Sequence, residues 1–171
     1  MWIRRATADD AAAIAVVHVR AWQAAYRGLL PQDHLDSLDP QRRAKMWAGI
    51  LAAQDRPRAA TVVATSGPDI VGFAGACPSR DDDADPLTVG EIPAIYLLAT
   101  HWGTGLGRLL MRTALILLRE GGYREATLWV LDTNERAQRF YRVGGWRPDG
   151  AVKQDTSHGI ALNEVRYRRS V

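Results

Sequence analysis

Three glycines that directly follow an apolar stretch have a spacing that suits phosphate binding. Gly103, Gly105 and Gly107 separate the apolar stretch 92–98 from a segment, 106–118, in which apolar residues recur at helical spacing. This pattern predicts a strand that ends in a glycine-rich turn at the start of a helix. The first amides of a helix have no acceptor within it, and the helix dipole adds positive potential there. The turn is therefore a candidate site for a phosphate or pyrophosphate; the alternative is a tight turn that only begins the helix.

The glycine spacing limits which phosphate ligand fits. It reads G-x-G-x-G, whereas the dinucleotide fingerprint is G-x-G-x-x-G with an acidic residue about 20 positions further on. The chain has no G-K-[S/T] sequence, so a P-loop is excluded.

The segments around this turn show helical and strand patterns along the whole chain. A helix begins after Thr7, and a second helical region at about 32–53 is split near Pro40. A hairpin, the strand–turn–helix element, another strand, a short helix and two C-terminal strands follow, at 59–77, 89–121, 125–131, 134–144 and 146–171. We predict a single α+β domain, residues 1–171, in which the strands at 91–99 and 125–131 are parallel neighbours because a helix connects them.

Composition argues against several classes of protein. The hydrophobic content of 47% is sufficient for a core, and the net charge is only +3, without a dense basic and aromatic patch. No apolar run reaches the roughly 18 residues of a membrane helix, and residues 1–20 do not read as a signal peptide. Cys77 is the sole cysteine, so no internal disulfide forms; it suits a small apolar residue in a strand better than a nucleophile. We expect a cytoplasmic protein with no nucleic-acid or membrane partner.

A second stretch places polar groups on a helix. Asn134 and Tyr141 are two helical turns apart and share a face, about 10 Å from each other along the axis. They belong to the pattern N-x-x-A-x-x-F-Y-x-x-x-G-W at 134–146, which follows W-G-T-G-L-G at 102–107. The two motifs, in this order and about 30 residues apart, resemble those of the GNAT superfamily of acyl-CoA-dependent N-acyltransferases. The segment 22–31 also resembles a subgroup of uncharacterised bacterial members.

The resemblance implies a GNAT fold. Such a fold has a mixed, mostly antiparallel sheet of six to seven strands, a central splayed parallel pair and about four flanking helices. Pro93 fits an irregular strand in the splayed region, or it marks a strand start. Trp102 departs from the family, which usually has Gln or Arg there, so we expect modestly weaker coenzyme binding unless His101 or Arg108 supplies a charge.

The resemblance also assigns a donor site for acetyl-CoA and no metal. In the family, amides of the glycine-rich turn bind the pyrophosphate, and the pantetheine arm lies between the splayed strands. Asn134 is expected to hydrogen-bond the arm, to cap the helix, or both. The residues that the resemblance places at acetyl-CoA are Ile95, Leu97, Ala99, Gly103, Thr104, Gly105, Gly107, Arg108, Asn134 and Tyr141.

Two residues are candidates for the proton transfers. By resemblance, Tyr141 is the general acid that protonates the departing thiolate; the alternative is a packed aromatic. Glu91 precedes Gly105 by fourteen residues, the offset at which some family members place a catalytic glutamate. The alternatives for Glu91 are an exposed residue beside a strand and a chain of water molecules that replaces a single base.

The acceptor side is less well defined by the sequence. By resemblance, a pocket between the first two helices and the C-terminal strands is lined by His18, Trp22, Tyr26 and His34, each of which also suits core packing. The acidic run 81–85 either attracts a cationic amine or forms a solvated loop.

These features predict an acetyl-CoA-dependent N-acetyltransferase. It moves an acetyl group to a primary amine by direct transfer in a ternary complex, since no residue resembles a covalent acyl carrier. The alternatives are a non-catalytic acyl-CoA-binding regulatory module with the same fold and a nucleotide site on an unrelated α/β fold. The expected partner is a small-molecule or peptide amine, and homodimerisation is left open.

Overall fold

The computed structural model describes residues 1–53 and 58–171, which form eight strands and five α-helices. In chain order these are β1 (Trp2–Arg5), α1 (Ala11–Ala25), α2 (Gln32–Asp36), α3 (Pro40–Ala52), β2 (Ala60–Ser66), β3 (Asp69–Pro78), β4 (Val89–Glu91), β5 (Ile95–Leu97), α4 (Leu106–Glu120), β6 (Glu125–Leu131), α5 (Glu135–Val143), β7 (Arg147–Asp155) and β8 (Leu162–Ser170). The predicted split of the second helical region lies between α2 and α3, where Asp39 accepts a hydrogen bond from the Gln41 amide at 2.8 Å and Pro40 begins α3.

All eight strands belong to one sheet. Their order is β1-β2-β3-β4-β6-β8-β7, and β5 pairs with β3 beside β4. β4 and β6 are parallel, as predicted, and every other pair is antiparallel. The mixed, mostly antiparallel sheet with one central parallel pair agrees with the predicted fold class.

The strand predicted at 91–99 is interrupted. β4 ends at Glu91 and β5 begins at Ile95, so the sheet has eight strands rather than six to seven. Pro93 lies in the interruption and has no amide hydrogen to donate to a neighbouring strand. Of the two interpretations of Pro93, the structure shows the irregular strand.

Helices cover both faces of the sheet. On one face, Leu110, Ala114 and Leu118 of α4 belong to a buried cluster with Leu128 of β6 and Tyr167 of β8. On the other face, residues of α1 and α3 form a separate cluster around Phe73 of β3. No helix in the described ranges is long and apolar enough to cross a membrane.

Candidate active site

The interruption between β4 and β5 opens a gap in the sheet. β4 pairs with β6 through Glu91↔Thr127, and the Ile92 amide donates to the Thr127 carbonyl at 2.9 Å. Beyond that point β5 pairs with β3 and not with β6, whose remaining residues pair with β8. β5 and β6 therefore diverge toward their carboxyl ends, as the predicted splayed pair requires.

Unpaired backbone groups of β5 line this gap. The Ala94 carbonyl and the Leu98 amide bond to β3, so strand alternation turns the backbone groups of Ile95 and Leu97 away from β3. The Leu97 carbonyl accepts a hydrogen bond of 2.9 Å from Nε1 of Trp102. Ala99 lies beyond the strand in a short 3₁₀ turn, and its carbonyl accepts from the Trp102 amide. Ile95 and Leu97 thus have the geometry to pair with an extended ligand, whereas Ala99 does not.

The glycine-rich turn follows directly. Gly103 and Gly105 have φ values of 76° and 87°, in the left-handed region that favours glycine, and Gly105 is the residue before the first turn of α4. A Cβ on Gly107 would lie 3.6 Å from the Phe140 ring, which places the start of α4 against α5. Thr104 is exposed and donates its hydroxyl hydrogen to the His101 carbonyl at 2.8 Å. The turn therefore presents the first amides of α4 beside the gap.

A cleft of about 1080 Å³ joins the gap to the turn. It is lined by the predicted residues Tyr26, Ile95, Leu97, Gly103, Gly105, Gly107, Arg108, Asn134 and Tyr141. Six arginines also line it, from α4, α5 and β8: Arg108, Arg112, Arg119, Arg136, Arg139 and Arg169. Within the described ranges no Asp or Glu joins this lining, so the cleft is suited to an anionic ligand.

Trp102, which departs from the family pattern, has a cation above it. The Arg136 guanidinium carbon lies 3.2 Å from the centre of the Trp102 ring, a cation–π contact. Burial lowers the pKa of Arg136, so a nearby anion would stabilise its charge. Of the two charges expected to compensate for Trp102, Arg108 lines the cleft, whereas His101 does not and bonds to Thr100.

Asn134 and Tyr141 both lie at the cleft, on α5. Asn134 is buried, and its side-chain oxygen accepts a hydrogen bond of 3.1 Å from the Ala137 amide, so it caps the helix. Tyr141 is 9% exposed and packs against Phe140, Trp146 and Tyr167. Burial raises the pKa of the Tyr141 hydroxyl, which therefore stays protonated at neutral pH.

Glu91 is bound by Arg80. Its two carboxylate oxygens accept hydrogen bonds of 3.0 and 2.6 Å from the Arg80 guanidinium and one of 3.1 Å from the Arg80 amide. The side chain is buried, and the residues that line the cleft include Ile92 but not Glu91. This geometry argues against Glu91 as the general base, because its negative charge already has a partner. The burial of Glu91 also contradicts the alternative that it is an exposed residue beside a strand.

The predicted acceptor residues form an aromatic cluster beneath and beside the cleft. Tyr26 and Tyr96 share a hydrogen bond of 3.2 Å between their hydroxyls. His18 is buried, stacks on Tyr96 at 5.0 Å between ring centres, and accepts a hydrogen bond from Nε1 of Trp47. Burial lowers its pKa to about 3, with added effects of the Arg43 and His158 charges. Trp22 is buried with Leu131 and Leu162, so of His18, Trp22 and Tyr26 only Tyr26 lines the cleft.

The remaining acceptor-side features are structural. His34 lies in α2, away from the lining residues, and its Nε2 is buried. Two aspartates of the acidic run, Asp81 and Asp83, form ion pairs with the buried Arg166 at 3.1 and 2.6 Å. The run is exposed in part, but Arg166 of β8 neutralises two of its charges, which argues against attraction of an amine.

Some residues at the cleft have signals that the sequence interpretation missed. Arg112 and Arg119 follow Arg108 at helical spacing, which predicts a basic stripe on α4. Tyr96 and Arg136 have no comparable local signal, because their positions depend on strand pairing and helix packing. Within the described ranges no group of three or more His, Cys, Asp or Glu side chains is placed to hold a metal ion.

Comparison with known proteins gives a consistent family assignment. Residues 19–145 match the model of the acetyltransferase (GNAT) family. The chain is 30% identical to the uncharacterized N-acetyltransferase YuaI of Bacillus subtilis over 95% of this chain and 89% of that protein. It is 33% identical to an uncharacterized N-acetyltransferase of Archaeoglobus fulgidus over 82% of this chain and 89% of that protein.

Solved structures share the fold at lower sequence identity. The PaiA N-acetyltransferase of Thermoplasma acidophilum, determined in complex with coenzyme A, superposes with a TM-score of 0.80 at 17% identity, over 99% of this chain and 98% of that one. YncA, a putative acetyltransferase of Salmonella typhimurium with its cofactor acetyl-CoA, superposes with a TM-score of 0.72 at 21% identity, over 99% and 93% of the two chains.

Proposed function

This chain belongs to the GNAT acetyltransferase family and is an N-acetyltransferase, and we propose that its cleft binds acetyl-CoA for direct transfer to a primary amine. The observation that carries the proposal is the gap between β5 and β6, which opens at a glycine-rich turn and is rimmed by six arginines. Acetyl-CoA has matching parts: an extended amide arm and several phosphates.

The donor site uses the backbone and the basic rim. The backbone groups of Ile95 and the Leu97 amide pair with the pantetheine amides as a neighbouring strand would. Amides at Gly105 and Gly107 bind the pyrophosphate, and Arg136, held on Trp102, supplies a cationic hydrogen-bond donor where the family usually has Gln or Arg. Arg108 is near the same turn. Asn134 keeps its capping role and has lone-pair capacity left for the pantetheine arm.

Tyr141 acts as the general acid. Nitrogen attack on the thioester carbonyl forms a C–N bond, and cleavage of the C–S bond leaves a thiolate in the buried cleft. The Tyr141 hydroxyl gives its proton to that sulfur and takes one from the new amide nitrogen. Burial raises the pKa of a thiol as well as that of the Tyr141 hydroxyl. The pKa difference between the proton donor and the proton acceptor therefore changes little.

The experiment measures release of free coenzyme A thiol with a panel of primary amines. Tyr141→Phe is expected to lose about 100-fold or more in turnover while it keeps its affinity for acetyl-CoA in calorimetry. Glu135→Gln, a change at an exposed residue of α5 that does not line the cleft, is the control for handling and folding. Unchanged turnover in Tyr141→Phe would remove Tyr141 from the acid role.

The non-catalytic alternative is not favoured. The departure from the family pattern at Trp102 would favour a module that has lost activity. Arg136 provides a cation beside Trp102, however, and Tyr141 lies at the cleft. Binding of acetyl-CoA without thiol release for any amine would support the alternative.

A further inference from the structure

A partly buried carboxylate lies on the acceptor side of the sheet. Glu164 of β8 pairs with Leu131, the last residue of β6, and with Lys153 of β7. Val165 and Tyr167 pack into the cluster under α4, whereas Leu162 packs with Trp22 of α1. Strand alternation therefore places the Glu164 side chain on the α1 face, at the end where β5 and β6 have diverged.

We propose that Glu164 binds the ammonium group of the acceptor and removes its proton, with Tyr26 and Tyr96 forming the wall beside that amine. The proposal rests on the function given above and deepens it, because it assigns the base and a cationic acceptor to one pocket. Nothing in the motif pattern singled out Glu164.

The state of the carboxylate supports this role. Its side chain is only 16% exposed, and the single cation that the described residues place beside it is Lys153, with the nitrogen 3.5 Å from a carboxylate oxygen. Lys153 is itself 39% exposed and rests on the Trp129 ring, so an incoming ammonium group can replace it. Glu91, by contrast, is fixed by three hydrogen bonds from Arg80.

The surroundings connect Glu164 to the reaction. Leu131 and Leu162, which lie beside Glu164 on the same face of the sheet, pack with Tyr26 and Tyr96. Burial raises the pKa of Tyr26, Tyr96 and Tyr141, and the Glu164 charge adds to the rise in each case. Burial raises the pKa of Glu164 itself, with further effects of the charges of Lys153, Asp155 and Glu91. A raised pKa makes the carboxylate a stronger base. The exposed 16% of its side chain gives the carboxylate access to solvent.

The proton balance closes over one turnover. The carboxylate of Glu164 takes one proton from the ammonium group, which frees the nitrogen lone pair for attack. Tyr141 exchanges its proton for the second amine proton, as described above. Glu164 then returns its proton to solvent, so that one proton is released for each acetyl group moved.

The test compares propylamine with hydroxylamine at saturating acetyl-CoA. Propylamine is an ammonium ion at neutral pH and needs a base, whereas hydroxylamine is largely neutral. Glu164→Gln is expected to lose about 100-fold or more in kcat/KM for propylamine and to change little for hydroxylamine. It should also lose the fall in activity toward acidic pH, while Glu164→Asp recovers part of the rate.

Matched variants and a binding measurement separate the outcomes. Glu125→Gln, which alters an ion-paired carboxylate at the other end of β6, is expected to keep both activities. Glu91→Gln tests the rival base: a selective loss there, with Glu164→Gln active, overturns the proposal. Equal losses with both nucleophiles in Glu164→Gln would indicate a structural role and also overturn it.

Acetyl-CoA calorimetry distinguishes this proposal from the proposed function. Glu164→Gln should bind acetyl-CoA like the wild type, and absence of binding in the wild type would defeat the proposed function. A wild-type protein that binds acetyl-CoA but neither binds nor acetylates propylamine would overturn only the ammonium site.

Discussion

Removal of His18 should change how stability depends on pH. His18 is buried, and burial lowers its pKa to about 3, whereas an unfolded histidine has a pKa near 6.5. Between these values the unfolded chain binds a proton that the folded chain does not. The neutral His18 therefore contributes to the free energy of unfolding above pH 6.5, and this contribution is lost as pH falls. From pH 7 to pH 5 the loss from this one group is about 2 kcal/mol.

The assay is urea unfolding of the wild type and His18→Gln, followed by tryptophan fluorescence at both pH values. Glutamine retains an acceptor for Nε1 of Trp47, and Asp10, whose pKa the Arg4 guanidinium lowers to about 2, titrates below this range. The variant should be less stable at pH 7, and the difference should shrink by about 2 kcal/mol at pH 5. Between pH 7 and pH 9 the difference should stay constant. If the free energies of unfolding of the wild type and His18→Gln fell by the same amount from pH 7 to pH 5, His18 would not be a buried neutral group.

Three further predictions follow from the backbone and the cysteine. Gly72→Ala should destabilise the fold by about 1–3 kcal/mol in urea unfolding, because its Cβ would lie 2.6 Å from a leucine methyl of β5; Gly49→Ala, with open space around it in α3, should not. Gly105→Ala and Gly122→Ala both place alanine at a left-handed position, but only Gly105→Ala should weaken acetyl-CoA binding in calorimetry. Equal affinities of the two variants would contradict a phosphate site at the glycine-rich turn. Cys77, whose pKa burial raises to about 12, should react with a disulfide reagent only after unfolding; rapid labelling at pH 8 would contradict this.

Local patterns were sufficient to predict most of the fold. The glycines around 105, the split of the second helical region near Pro40 and the parallel relation of β4 and β6 depend on residues close in sequence or on one connecting helix. The division of one predicted strand into β4 and β5 was left open by the sequence, because Pro93 suits both an irregular strand and a strand start. Only the pairing of β5 with β3 instead of β6 distinguishes these two interpretations of Pro93.

The candidate site was less accessible to sequence reasoning. The resemblance placed the donor residues because their motifs are local, and the structure brings Gly105, Asn134 and Tyr141 to one cleft. The ion pair of Glu91 was not predicted, because its partner, Arg80, comes from the loop after β3 and belongs to no motif. Glu164 was overlooked because its face of β8 is known only once α1 and β6 are in place.

Calorimetric titration with acetyl-CoA and with S-acetylpantetheine tests the central claim most directly, because the second compound keeps the acyl arm but lacks the nucleotide and the pyrophosphate. We expect acetyl-CoA to bind and S-acetylpantetheine to bind about tenfold or more weaker for each charge-assisted hydrogen bond that is lost. Equal affinities, or no heat with acetyl-CoA at high micromolar concentration, would contradict a phosphate site at the start of α4.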